Sequence, residues 1–261
     1  MRMFSARSLV AGLAVLAMTG CDKPRHIVTP GMGVEPVAVA GFEACAQNFY
    51  QGFAPQPGAG SPGKQRALCF DDFAVLHSGE SKTPVYAAEH LTPASLADAG
   101  EERKDKFYAE ARLPFAERAQ LDDYRGSGLD RGHLGAAAQR TTPAAMAQSF
   151  SLANMVPQAP ANNRGAWAKS VEKATRSYVA RGNEVYVITG PIFQAPVATI
   201  GPGRVWVPSA LFKLVYDPAK KRAWAYVVDN TDTAKVTGTV SYTELVRITG
   251  TQWLPAGAVA G

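Results

Sequence analysis

Gly128-Leu129-Asp130-Arg131-Gly132-His133-Leu134 is the most informative stretch of this 261-residue chain. A histidine follows a cation and a glycine, an arrangement suited to binding an anion and activating water beside it. An unperturbed imidazole titrates near 6.5, which makes His133 a competent base at neutral pH. The Arg131 guanidinium offers two parallel donors to phosphate oxygens. Gly132 is read as giving the backbone room to turn the imidazole. Further on, Asn154-Met155-Val156-Pro157-Gln158 leads into Asn163-Arg164-Gly165-Ala166-Trp167.

Around these segments the pattern of apolar residues sets out the elements. Asn163 opens the clearest helix, with Trp167, Val171, Ala174 and Tyr178 at i, i+4, i+7 and i+11 on one face, ended by Arg181-Gly182-Asn183. Thr142-Pro143 reads as a cap followed by a first helical turn. Phe150 to Val156 reads as a short strand. Ala67 to His77 and Pro84 to His90 read as a hairpin turning at Ser78-Gly79-Glu80-Ser81. A helical or irregular piece runs from Leu91 to Arg103, and the polar residues 104–130 read as loops approaching the functional centre. Glu184 to Thr189, Val205 to Val207, Phe212 to Tyr216 and Ala223 to Val228 are further strands, and Ser241 to Ile248 a final helix. Strands outnumber helices and mix with them, so the expected class is α+β, in one mixed domain spanning 41–261.

Hydrophobic content of 46% and charged content of 19% are ordinary for a globular chain long enough to bury a normal core. The N-terminus reads differently. Arginines in Met1 to Arg7, the apolar run Leu9 to Ala17 and a small residue before Cys21 make residues 1–20 a secretory signal segment. Gly20-Cys21 resembles a bacterial lipobox, with Cys21 then lipid-modified, although the position three before it holds Met18. Simple cleavage and a retained anchor helix are the alternatives. Residues 21–40, with Pro24, Pro30 and Pro36, read as a tether. Removing residues 1–20 takes away Arg2 and Arg7, so the formal charge of +5 becomes 5 − 2 = +3, which fits a polyanionic ligand without demonstrating one. Cys45 and Cys69 remain as an even pair in an exported, oxidising compartment and are expected to form a disulfide. It would contribute roughly 3 kcal/mol by closing a loop of about 25 residues.

The segments Asp130–His133, Asn154–Gln158, Asn163–Trp167 and Thr189-Gly190-Pro191 resemble the DNA/RNA non-specific endonucleases of the ββα-metal, or His-Me finger, class. The resemblance covers about Ala67 to Trp253. It implies a central antiparallel sheet carrying a ββα-metal motif, and metal-dependent hydrolysis of phosphodiesters in DNA and RNA. It makes His133 the general base, Asn163 the direct ligand of a hydrated Mg²⁺ (Mn²⁺ substituting), Arg131 a phosphate-binding arginine and Asn154 a residue near the base or substrate. Arg103 loosely matches a second substrate arginine, and Arg164 is a further substrate-binding candidate. Phosphate contacts carry no base information, so broad specificity follows.

One departure concerns the carboxylate. Family members usually carry a glutamate four residues after the tryptophan, holding a metal-bound water. Val171 occupies that place here and Glu172 comes one later. On a regular helix, at about 100° per residue, Glu172 would lie roughly 180° from Asn163. The expectation is therefore an extra residue accommodated as a π-bulge between Trp167 and Glu172. Arg125, Arg140, Arg164 and Lys169 flank the motifs and either line a groove for the nucleic-acid backbone or form a charged rim. Asp122 and Asp123 read as solvated, His77 and His90 as surface or structural, Trp167 as core. An exported lipoprotein that captures nucleic acid without cutting, and a phosphodiesterase for small substrates, are the alternatives. The expected location is exported: periplasmic, membrane-anchored through Cys21, or secreted.

Overall fold

The computed structural model describes residues 39–97, 102–103 and 105–260; the signal segment, Cys21 and nearly all of the tether lie outside the described residues. In chain order the elements are β1 (Gln65–Cys69), β2 (Ala74–Ser78), β3 (Thr83–Leu91), α1 (Pro93–Ala97), α2 (Leu121–Tyr124), β4 (Asp130–His133), α3 (Pro143–Ser149) and β5 (Met155–Gln158). A π-helix, Asn162–Glu172, then runs straight into α4 (Lys173–Ala180). β6 (Val185–Ile192), β7 (Thr199–Ile200), β8 (Val205–Trp206), β9 (Ala210–Asp217), β10 (Arg222–Asp229), β11 (Val240–Ser241) and α5 (Tyr242–Thr249) complete the described part. The main sheet has seven strands in the order β1-β2-β3-β6-β9-β10-β11, every neighbouring pair antiparallel. The α+β architecture with a central antiparallel sheet is the expected one.

Both faces of this sheet are covered, which is why β2, β3 and β9 are buried almost throughout. On β9, Phe212, Leu214 and Tyr216 point to one core, shared with Tyr86 and Ala88 of β3 and with Trp253. The alternate residues point to the other face, where Leu211 and Ala87 meet Trp167 and Val171 of the π-helix, Leu134 and Val156. The period-two alternation of strands thus assigns each residue to one of two cores. On that second face the centre of the sheet also carries Glu89, Thr189 and Lys213, all fully buried. Thr189 and Lys213 are cross-strand partners, and the ammonium donates to the hydroxyl at 2.6 Å.

Three expectations require correction. Ala67 to His77 is two strands, because Asp71 and Asp72 turn the chain between Phe70 and Phe73, whose rings stack at 4.3 Å. Asp72 holds that turn by accepting from the Thr141 backbone and hydroxyl, each at 2.9 Å. Phe150 to Val156 holds only the start of a strand: Phe150 caps α3, Leu152–Asn154 form a 3₁₀ turn, and β5 begins at Met155. Asp123 is buried, not solvated; its carboxylate accepts from the backbone of Gln120 at 2.8 Å and of Gly203 at 2.5 Å. Other local readings hold. Thr142 caps α3 by accepting from Ala145 N–H, and the Cys45–Cys69 disulfide is present, Cα to Cα 5.6 Å.

His77 of β2 is buried beneath this sheet's edge, and burial holds its imidazole down to about 4, outweighing the Lys82 backbone and the carboxylates of Glu110 and Glu117. Between its ordinary value of 6.5 and that native value, the unfolded chain binds a proton that the native protein does not, so this group lowers stability as pH falls. Relative to a His77→Phe variant, the wild-type protein should lose up to about 1.4 kcal/mol per pH unit below roughly pH 6. Urea unfolding at pH 7, 6 and 5 measures this; parallel profiles for the two proteins contradict it.

Candidate active site

β4 and β5 pair as an antiparallel ribbon in the register Asp130↔Gln158 to His133↔Met155, and the chain then turns into the π-helix. This ribbon-plus-helix unit packs on the second face of the sheet through Val156, Trp167 and Val171. Its glycine has a different reason from the one the sequence suggests. A Cβ at Gly132 would stand 2.1 Å from Gln158 Oε1, so the ribbon closes only if that position has no side chain.

Arg103, Arg131, His133, Asn163, Arg164 and Glu172 all line one cavity of about 760 Å³, together with Asp130. Asn154 does not. It is fully buried, and its carboxamide accepts from Gly135 N–H at 2.8 Å while donating to the carbonyls of Gly135 and Ser149, both at 2.9 Å. It clips the loop that follows His133 and so positions the histidine from behind. Of the two places expected for it, near the base or near the substrate, it takes the one behind the base: a buried amide surrounded by orphan backbone groups satisfies those groups first.

His133 is held by rings. Phe150 meets it edge-on at 5.2 Å and Phe107 lies 5.9 Å away. The same two rings carry the arginines, Arg131 over Phe107 at 4.3 Å and Arg103 over Phe150 at 5.4 Å. Burial, and then the nearby positive charges of Arg103 and Arg140, push the His133 imidazole down to about 3, so it is neutral in the free protein. Neither aromatic was singled out from the sequence, because isolated phenylalanines carry no periodic signal and their role exists only in the fold.

Asp130 joins the ribbon to the helix. Its Oδ2 accepts from Asn163 Nδ2 at 2.9 Å, and its two oxygens take the Arg164 guanidinium at 2.8 and 2.6 Å. Burial would raise its carboxyl, yet Arg164 and Asn163 hold it below the usual range, so it is anionic. Because a carboxylate must face the amide nitrogen, the Asn163 amide oxygen is left for the cavity. Arg164 is thereby neutralised, while among the described residues Arg131 has no ion-pair partner.

Glu172 faces the same cavity. The segment Asn162–Glu172 is wound as a π-helix, with roughly 4.4 residues per turn in place of 3.6, which brings a residue nine positions after Asn163 back to nearly the same side. The side chain is 14% exposed and lies 3.6 Å from Arg176. Burial raises its carboxyl, reinforced by Glu89 and opposed by Lys213 and Arg176. Beneath it Glu89 is paired with Arg140, and Lys213 Nζ stands 3.9 Å from Glu89.

No group of three or more His, Cys, Asp or Glu side chains poised for a metal exists among the described residues. The donors that line the cavity are one amide oxygen and one half-buried carboxylate. That set suits a hard cation that keeps most of its water, as Mg²⁺ does, and not a thiolate- or imidazole-bound metal.

Comparison with known proteins agrees with this geometry. The family model described as DNA/RNA non-specific endonuclease matches residues 52–256. Human mitochondrial endonuclease G is 34% identical over 167 residues, 60% of this chain and 56% of that protein. The bovine mitochondrial endonuclease G is 32% identical over 204 residues, 72% of this chain and 68% of its own length. Nuclease C1 of Cunninghamella echinulata var. echinulata is 33% identical over 181 residues, 64% of this chain and 71% of that one. The chain thus spans little more than half of the human protein. A chain from a solved EndoG/EndoGI complex superposes with a TM-score of 0.66 at 27% identity, over 73% of this chain and 86% of that one.

If the π-winding exists to absorb one residue, removing that residue is tolerated. Deleting Ser170 places the carboxylate four positions after Trp167 and lets the segment wind as an ordinary α-helix with its apolar face intact. Urea unfolding of this variant should give a stability within about 1 kcal/mol of wild type, whereas register loss in a packed helix costs several. A loss above about 3 kcal/mol contradicts the π-winding account.

Proposed function

This chain belongs to the DNA/RNA non-specific endonuclease family, and on that premise we propose that it hydrolyses phosphodiester bonds of DNA and RNA with a divalent metal. The observation that carries the proposal is the meeting, in one open cavity, of a neutral buried imidazole, an arginine with no ion-pair partner among the described residues, and an amide whose nitrogen is turned to Asp130. A protein that only captured nucleic acid would need the arginine alone.

His133 accepts the proton of the attacking water. Its depressed pKa keeps it unprotonated in the free protein, and the negative charge of a phosphodiester entering beside it favours the charged form it acquires in the transition state. Arg131, held over Phe107, pairs with non-bridging phosphate oxygens, and Arg103, over Phe150, exchanges its Asp105 partner for the substrate. Asn163, its nitrogen turned to Asp130, and Glu172 are the residues that would hold a hydrated Mg²⁺. Such an ion would supply charge neutralisation at the phosphate and stabilisation of the departing oxygen. Asn154 acts through the loop after His133 and touches no substrate.

We further propose that the protein is exported, with residues 1–20 removed and Cys21 lipid-modified, so that it works in the periplasm, at a membrane or outside the cell. The support is the apolar run before Cys21 and the Cys45–Cys69 disulfide, a bond that persists in oxidising compartments.

The test is degradation of plasmid DNA and of RNA by the purified chain, with Mg²⁺ or Mn²⁺ and with excess chelator. Cleavage should require the metal, and His133→Ala should lower the rate by about 10²–10⁴-fold, the usual contribution of a general base. Equal rates in wild type and His133→Ala, or undiminished cleavage in chelator, remove the proposal.

A further inference from the structure

Lys169, Ser170, Lys173, Ser177 and Arg181 line a shallow recess of about 440 Å³ on the outer side of the π-helix and α4. The three cations are exposed, and no described carboxylate pairs with any of them. The acids of this region are engaged elsewhere: Asp217 takes Lys220 Nζ at 2.8 Å and the Tyr178 hydroxyl at 2.6 Å, and Glu172 lies inside the cavity next to Arg176. The recess is therefore a patch of uncompensated positive charge.

Its position ties it to the active cavity. Ala168 and Glu172 line the cavity, and the next residue on each of those turns, Lys169 and Lys173, lines the recess. The one surface begins where the other ends. Lys169 closes the π-helix side of the patch, and Arg181 follows Lys173 by eight residues, about 12 Å along α4 at ~1.5 Å per residue. One strand of a nucleic acid carries a charge every ~3.4 Å of its axis, so that spacing amounts to three or four nucleotide steps, about 12 Å divided by ~3.4 Å.

We propose that this recess is a phosphate track that binds the substrate backbone several nucleotides away from the bond being cut. The inference rests on the nuclease reading and deepens it: the occupant is a polynucleotide chain, preferred over a short diester because only a chain reaches from the cavity to Arg181. The contacts are to phosphates, so the track adds affinity and salt dependence without base preference.

The experiment measures binding of the full chain carrying His133→Ala to a fluorescent 20-base-pair duplex between 50 and 300 mM NaCl. Adding Lys169→Gln, Lys173→Gln and Arg181→Gln together should flatten the slope of log Kd against log salt by up to about 2.7, or 0.9 per released phosphate contact, and weaken binding at 100 mM by roughly tenfold or more. A control removes the same charge from three cations elsewhere that have no described ion-pair partner, Lys82→Gln, Lys221→Gln and Lys235→Gln, and should flatten the slope far less. An unchanged slope in the first triple variant, an equal change in the control, or no duplex binding by the parent overturns the track. A recess-dependent slope in a protein whose wild-type form cuts nothing upholds the track while removing the nuclease reading; normal cutting with an unchanged slope does the reverse.

Discussion

The hydrogen bond from Asn163 Nδ2 to Asp130 Oδ2, at 2.9 Å, is the constraint on which the site depends. It crosses from the β-ribbon to the π-helix, two elements that the backbone joins only through a short turn. Because the acceptor is a carboxylate, the amide has one orientation and its oxygen faces the cavity. The same Asp130 takes the Arg164 guanidinium and Asp105 takes Arg103, which leaves Arg131 as the cavity arginine without an ion-pair partner among the described residues. Asp130 thus decides which amide oxygen is available to a cation and keeps Arg164 from a phosphate.

Beneath that clamp lies an unusual floor. Glu89 and Lys213 are fully buried at the centre of the sheet, with the buried Arg140 reaching Glu89 from the loop after β4, and Glu172 and Arg176 extend the group toward the cavity. Buried charges carry a desolvation cost that their mutual attraction only partly offsets. A sheet built for stability alone would place apolar residues there, as it does on its opposite face with Phe212, Leu214 and Tyr216. The polar ledge falls on the face that carries the site, and stability has been traded there for a fixed field under Glu172. The aromatic bracket of Phe107 and Phe150 acts in the same sense, fixing the imidazole and two guanidinium planes by ring contacts.

Much of this was legible in the sequence where the signal is local or periodic. The 3.6-residue spacing of Trp167 and Val171 located the helix and its buried face, Thr142 marked a cap through its own side-chain chemistry, and the even pair of cysteines gave the disulfide. The mismatch between Trp167 and Glu172 was itself informative, since only a π-wound helix places both Asn163 and Glu172 on the cavity. Residues whose meaning depends on distant chain segments were not legible. Asn154 satisfies backbone groups of Gly135 and Ser149, and Gly132 yields to Gln158 across the ribbon. The Asp71-Asp72 turn was hidden within an apolar run, because the phenylalanines on either side stack with each other instead of continuing a strand.

The most direct test of the central claim is the affinity for Mn²⁺ or Mg²⁺ of the wild-type protein and of Asp130→Ala, by calorimetry in the absence of nucleic acid. If Asp130 sets the orientation of the Asn163 amide, the variant binds the metal about 10–100-fold more weakly, the usual effect of losing a group that orients a ligand, while its unfolding midpoint stays close to wild type. Equal affinity in the two proteins would contradict the account, and would place the metal on ligands that owe nothing to Asp130 or to Asn163.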